Sequence, residues 1–235
     1  MQNKILKTAI VGKTNAGKST LINNIIGEKI SIQNKKINTT QDLIIGIKNI
    51  DKTQILFYDT PGSNFLKSLN IQSKNLKKNL WSGIEDSDIV LYLVDSKTIN
   101  LSFLFDQLEK IKEVKKKVIL VFNKIDLIES KNLLPIIKKI NDKYQIESFF
   151  NISAKNSIGV LDLLDYLLNF AYVSSWIYHE DEITNKDDKF ILNELLRETL
   201  LTYLHKEIPY NLIINTSTYK VLKNNDIKIK QKIII

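Results

Sequence analysis

The chain has no cysteine among its 235 residues, which excludes disulfides and thiolate metal sites. Its two histidines, His179 and His205, are too few for a histidine-rich metal centre. Arg197 is the sole arginine, so lysine carries nearly all of the positive charge. No uninterrupted apolar run approaches the roughly 20 residues that a membrane-spanning helix requires. The opening "MQNKILKTAIVGK" enters a strand pattern at once and lacks the long apolar region of a secretory signal. The expectation is a cytoplasmic protein of a reducing compartment. Glycine is also scarce, with seven in all, yet two of them fall in the short stretch "GKTNAGKS" at 12–19.

A hydrophobic content of 43% is enough for one full core and a small second unit. The formal charge of +8 is compatible with a polyanionic partner, but it comes from lysine in a chain that is also heavy in asparagine and isoleucine, a bias that compositional drift produces without one. Strand-like runs occur at 8–11, 43–50, 54–58, 89–94, 118–122 and 149–152. Helical patterns at 19–26, 72–85, 103–114, 133–143 and 160–171 lie between most of them. This alternation predicts an α/β fold, a doubly wound and mostly parallel six-stranded sheet. The second and third runs are joined by the short turn "NIDKT", which predicts an antiparallel hairpin. In such a sheet ligands gather at the carboxyl ends of the strands. Beyond residue 172, "SSWIYHEDEITNKDD" reads as a polar, acidic linker over 173–187. "DKFILNELLRETLLTYLHKEI" then reads as a long amphipathic helix beginning near an Asp cap, followed by strand-like runs at 210–219 and 227–235.

Residues 12–19 match G-x-x-x-x-G-K-S, a phosphate-binding loop, in the strand-to-helix context that the motif requires. A glycine-rich turn before an ordinary helix is the bland alternative. Gly12 and Gly17 free the backbone so that the amides of Lys13, Thr14, Asn15, Ala16 and Gly17 can turn around an anion. Lys18 reaches the β- and γ-phosphates, and Ser19 offers a hydroxyl oxygen to Mg²⁺. The helix beginning there, with Thr20 in its first turn, points its positive end at the same phosphates. In "FYDTPGS" at 57–63, Asp59 is placed to hold Mg²⁺ through a water, and the Gly62 N–H is placed to reach a γ-phosphate. "FNKID" at 122–126 carries N-K-x-D, in which Asn123 and Lys124 accompany an Asp126 carboxylate that accepts from the N1–H and exocyclic amine of guanine. Adenine offers no such donor pair, and a site that loses a bonded polar partner discriminates strongly. In "ISAK" at 152–155, Ser153 leads to an Ala154 amide aimed at the guanine oxygen and to Lys155 flanking the ring.

These four motifs, in this order and at strand ends, resemble the translation-factor class of GTPases over residues 5–171. Within it the chain is similar to the Era family of bacterial ribosome-assembly GTPases, of the TrmE-Era-EngA-like group. "NTTQDLIIGI" follows the first helix, "DTPG" follows the hairpin, and "HEDEIT…LLRETLLTYLHKEIPYNLIIN" looks like the start of an RNA-binding KH domain. The resemblance implies a GTP-binding domain over 1–172 and a partial KH-like α+β unit over 188–235. It makes Thr40, rather than Thr39, a switch threonine that ligates Mg²⁺, and places Lys18, Thr40 and Gly62 in catalysis. Asn15 matches the asparagine that holds K⁺ in potassium-dependent members. The implied partners are GTP and GDP, the small ribosomal subunit with its 16S rRNA, and a peripheral site at the inner membrane; DNA is not among them.

Two positions depart from the family pattern, Gln41 after the threonine pair and Ser63 after D-T-P-G. Ser63 is too short to orient an attacking water, and Arg197 lies outside the nucleotide domain, so slow basal hydrolysis is expected. No glycine follows Gly159, so the KH G-x-x-G loop is absent. The expectation is a KH domain truncated before that loop, with weak, salt-sensitive RNA binding. The rival reading is a GTP/GDP-responsive binding module with negligible hydrolysis. A P-loop kinase ranks behind both because it gives Asn123 and Asp126 no role.

Overall fold

The computed structural model describes residues 2–31, 43–62, 71–113, 115–203 and 212–234. β1 (Lys4–Gly12) occupies the centre of a sheet ordered β2-β3-β1-β4-β5-β6. The other strands are β2 (Ile44–Ile50), β3 (Thr53–Asp59), β4 (Ile89–Asp95), β5 (Lys117–Asn123) and β6 (Ser148–Ile152). β2 and β3 form the expected antiparallel hairpin, and all other neighbours on this path are parallel.

Strict alternation along the central strands builds two cores. Leu6, Ile10, Leu91, Leu93, Ile119 and Val121 point to one face, where α1 (Lys18–Ile26) and α5 (Val160–Leu168) cover them. Ala9, Val11, Val90, Tyr92, Leu120 and Phe122 point to the other, beneath α2 (Ile71–Glu85), α3 (Leu101–Lys112) and α4 (Leu134–Asn141). Strands buried on both sides read as continuous apolar runs, which is why "IVLYLVD" and "VILVFN" stand out in the sequence. Among the described residues no helix is long and apolar enough to cross a membrane.

A seventh strand, β7 (Tyr172–Val173), pairs antiparallel with Lys4 and Ile5 of β1. It fits there because β4 begins pairing with β1 only at Thr8, leaving the start of β1 open on that side. The following stretch, read from composition as a linker, runs along the β2–β3 hairpin. Ile47 N–H donates to Ile183 O at 2.9 Å, and Ile45 N–H donates to Asn185 Oδ1 at 2.9 Å. Buried Gln54 uses Oε1 to accept from the N–H groups of Ile177 and Tyr178, at 3.0 and 3.1 Å, and donates from Nε2 to Tyr178 O at 3.0 Å. The Tyr178 ring packs against Ile5, Ile47, Leu56 and Tyr58. This strap satisfies part of the β2 edge that would otherwise present unpaired backbone groups.

α6 (Asp188–Tyr203) starts where Asp187 Oδ1 accepts from Phe190 N–H at 2.8 Å, the Asp cap expected from the sequence. Phe190 and Ile191 pack on the first core. Leu196 and Leu200 meet Leu212 and Ile214 of a separate hairpin, β8 (Ile213–Val221) and β9 (Ile227–Ile234). Arg197 Nη1 donates to Leu212 O at 2.8 Å, and Asn193 Oδ1 accepts from Thr216 Oγ1 at 2.6 Å and Gln231 Nε2 at 3.3 Å.

Candidate nucleotide site

The loop joining β1 to α1 is held by backbone geometry that few residue types allow. Asn15 (φ 67°) and Gly17 (φ 97°) are left-handed, and Ala16 N–H closes a turn onto Lys13 O at 3.0 Å. A Cβ on Gly17 would overlap Asn123 Nδ2, so the second motif glycine is required by close approach as well as by conformation. Lys18 folds back inside the loop, its ammonium donating to Gly12 O at 3.2 Å and Lys13 O at 3.4 Å. Burial pushes the Lys18 ammonium below its usual pKa, and the Asp59 carboxylate partly restores it. Burial likewise pushes the Asp59 carboxyl up, opposed by Lys18 and by hydroxyl donors from Ser31 and Ser19.

Ser19 Oγ donates to Asp59 Oδ2 at 3.1 Å, which brings the two expected Mg²⁺-side groups together across α1 and β3. One hydroxyl, one carboxylate and the phosphate oxygens of a nucleotide form an all-oxygen set of the kind that Mg²⁺ prefers. Among the described residues no cluster of three or more His, Cys, Asp or Glu offers an all-protein cage instead. These residues therefore fit Mg²⁺ bound together with a nucleotide.

Gly62 lies against the phosphate loop. A Cβ there would overlap Thr14 Oγ1 and stand 2.9 Å from Thr14 N, so only glycine lets D-T-P-G approach this closely. Thr60 anchors the same turn by donating from Oγ1 to Ile10 O at 2.6 Å. Thr40, Thr39, Gln41 and Ser63 lie outside the described residues.

On the base side, buried Asn123 ties three loops together. Its Nδ2 donates to Ala16 O at 2.8 Å, and its Oδ1 accepts from Lys124 N at 2.8 Å and Ala154 N at 2.9 Å. The Ala154 N–H, which the sequence reading aims at a guanine oxygen, is thus directed to Asn123 in this structure. Ser153 is fully buried and its Oγ accepts from Asn156 N–H at 3.3 Å, shaping the turn that presents exposed Lys155. Asp126 is exposed in a 3-10 turn over Ile125–Leu127, its carboxylate available to a ligand.

Two groups at the same edge escaped sequence reasoning. Asp95 ends β4 in direct register with Asn123, and its Oδ2 accepts from Lys124 Nζ at 2.6 Å. Lys124 Nζ also donates to Asn15 O at 2.6 Å, so Asp95 positions a lysine that joins the base-side loop to the phosphate loop. An acid closing a buried strand at the ligand edge was the signal available for it. Ser31 had no such signal. Its Oγ donates to Asp59 Oδ2, while Asn23 grips its backbone on both sides, accepting from Ser31 N at 3.0 Å and donating to Ser31 O at 2.7 Å. Nearby, Lys29 pairs with Glu198 of α6 at 3.0 Å.

The Asp95–Lys124 pair is partly shielded, with side-chain exposures of 16% and 29%, so it retains more strength than a surface ion pair. Asp95→Asn should therefore speed GDP release by about 5- to 10-fold, a change of about 1 to 1.4 kcal/mol. Stopped-flow release of a fluorescent GDP analogue measures it, and an unchanged rate would remove Asp95 from the positioning role.

The loops after β1, β3, β5 and β6 converge on the carboxyl edge of one sheet, with phosphate-side groups at one end and base-side groups at the other. That arrangement defines a P-loop GTPase. The family described as "50S ribosome-binding GTPase" matches residues 7–124. GTPase Era of Rickettsia prowazekii is 39% identical over 238 aligned residues, covering the whole chain and 80% of the relative. A crystal structure of Era with MgGDPNP and nucleotides 1506–1542 of 16S ribosomal RNA superposes with TM-score 0.86 at 31% identity, covering 99% of this chain and 79% of that one. An Aquifex aeolicus Era variant bound to GDP·AlF4⁻ gives 0.87 at 31%, covering 100% and 79%. The chain belongs to the Era family of GTPases and is a GTP hydrolase. Its α/β sheet, C-terminal helix and β-hairpin match the Era structures.

Proposed function

We propose that this GTPase is a nucleotide-controlled switch in the assembly of the small ribosomal subunit and the maturation of its 16S rRNA. The observation that carries this reading is the likeness to the RNA-bound Era, which extends over nearly the whole chain, α6 and the β8–β9 hairpin included. The description naming the 50S subunit attaches to residues 7–124 alone, whereas the match to the RNA-bound Era covers nearly the whole chain and supports the small-subunit reading. The chain divides into a nucleotide-binding unit over 1–172, a connecting segment over 173–187 and a KH-like unit over 188–235. The protein works in the cytoplasm and associates peripherally with the inner membrane.

In hydrolysis, a water attacks the γ-phosphorus and the bond to the β–γ bridging oxygen breaks, leaving GDP and inorganic phosphate. Lys18 and the amides of residues 13–20 meet the negative charge that accumulates on those oxygens. Ser19, Thr40 and Asp59 would hold Mg²⁺, which would neutralise charge on the phosphates. Gly62 would sense the γ-phosphate through its N–H and Thr40 through the Mg²⁺ it ligates, so hydrolysis would release the loops around both. Asn15, exposed and left-handed, would hold K⁺ beside the phosphates. Equal turnover in Na⁺ and K⁺ would return Asn15 to being a turn residue. Asp126 accepts from guanine and Lys155 flanks its ring, while Lys124 ties the base-side loop to the phosphate loop.

The switch is tested by titrating RNA carrying the small-subunit 3′ sequence against the protein loaded with GDP or with a non-hydrolysable GTP analogue. Tighter binding in the GTP-analogue state is expected. Identical affinities in the two states would contradict a nucleotide-controlled RNA partner.

A further inference from the structure

The β8–β9 hairpin has two unlike faces. One meets α6: Leu212, Ile214 and Thr216 are buried, Gln231 bonds Asn193 and Thr216, and alternation puts Tyr219, in register with Ile229, on the same side. Alternation then sends the intervening side chains to the opposite face. Asn215, Thr218 and Lys220 lie there on β8, in register with Lys232, Lys230 and Lys228 of β9. A bulge between Thr216 and Thr218 keeps this alignment by adding one residue to β8. All four lysines are exposed, and among the described residues no carboxylate pairs with any of them.

This arrangement is unfavourable for the hairpin alone. Lys220 stands directly opposite Lys228, and like charges facing each other across strands destabilise the pair. An anion along the face removes that repulsion. Lys228, Lys230 and Lys232 form a straight row spaced by about 7 Å, two residues of an extended strand, which suits a string of phosphates better than a single anion. Between them stand Asn215 and Thr218, which donate hydrogen bonds and offer no apolar anchor. An interfacial membrane site needs apolar groups to insert among its cations, and on this face the exposed pair Ile213 and Ile234 lies beyond Lys232 at one end, with none between the lysines. It also lacks an aromatic ring on which a base can stack, since Tyr219 lies on the α6 side.

We propose that the outer face of the β8–β9 hairpin, through Lys220, Lys228, Lys230 and Lys232, docks the sugar–phosphate backbone of single-stranded RNA without reading its sequence. The inference rests on the RNA-partner reading above and adds a surface to it. The face contributes affinity and salt dependence, and base identity is read elsewhere or not at all.

The test is fluorescence anisotropy of a labelled single-stranded RNA of scrambled sequence, titrated with the full chain across about 50 to 200 mM salt. The triple variant K228Q/K230Q/K232Q should flatten the slope of log affinity against log salt by about 2, from three phosphate contacts at roughly 0.7 each. GDP affinity, measured in parallel, should be unchanged and reports that the chain is folded. A control triple on exposed helix and helix-end positions, K112Q/K138Q/K139Q, should keep the wild-type slope. An unchanged slope in the hairpin variant, or equal flattening in both triples, overturns the surface while leaving the RNA partner standing. Wild-type protein that binds no RNA at any salt overturns the RNA-partner reading itself. Lysine-dependent binding to phosphatidylserine vesicles with no lysine-dependent RNA binding overturns the choice of occupant.

Discussion

Asp126→Asn should lower GTP affinity by about 10⁴-fold and turn the protein toward xanthine nucleotides. The carboxylate accepts from two guanine donors, N1–H and the exocyclic amine. An amide in its place presents one acceptor and one donor, so it meets one of those groups with a like partner. Xanthine carries an oxygen where guanine carries the amine, and the new N–H donates to it. The change should be local. Asp126 is exposed in its 3-10 turn, and none of the hydrogen bonds joining Asn123 to Ala16, Lys124 and Ala154 passes through it. Equilibrium binding of GDP and XDP to the two proteins measures the shift, and retention of wild-type GDP affinity would remove Asp126 from base recognition.

Lys18→Ala should cut single-turnover GTP hydrolysis by about 10²- to 10³-fold, the loss typical when one positioned donor to developing charge is removed. Lys18 is held ready for that role. Its ammonium is buried against Gly12 O and Lys13 O, and the loop that holds it is fixed by Gly17 and Asn123. The substitution also leaves Asp59 buried without the cation that most opposes its desolvation. Part of the loss should therefore appear as weaker Mg²⁺ dependence of nucleotide affinity. A variant that hydrolyses GTP at the wild-type rate would show that the loop lysine is structural.

How much of this was visible in the sequence depends on how local each feature is. The phosphate loop, D-T-P-G, N-K-I-D and S-A-K each place their groups within a few residues at the end of an apolar strand, so spacing alone located them. Alternation of strands with helices was enough for the doubly wound sheet, and the short turn "NIDKT" for the β2–β3 hairpin. Features that depend on distant partners were not visible. β7 has only two residues, and it exists because β4 leaves the start of β1 unpaired. The stretch after it looks like a linker by composition, yet Gln54 binds it across more than a hundred positions of sequence. Asp95 and Ser31 gain their roles from Lys124 and Asp59, which sit on other strands and loops. The bond from the Ala154 amide to Asn123, which joins the loops after β5 and β6, is likewise a contact that the motif does not announce.

The α6 junction links the two parts of the chain physically. Ser31 touches Asp59 at the nucleotide site, Lys29 two residues earlier pairs with Glu198, and Arg197 on the same helix reaches Leu212 beside β8.

The central claim is a site that selects guanine nucleotides through loops at one sheet edge, and competition for a bound fluorescent GDP analogue tests it most directly. Unlabelled GTP should displace the analogue near stoichiometric concentration, and ATP should fail to displace it even at about a thousandfold excess. Displacement by ATP and GTP at the same concentration would contradict the account.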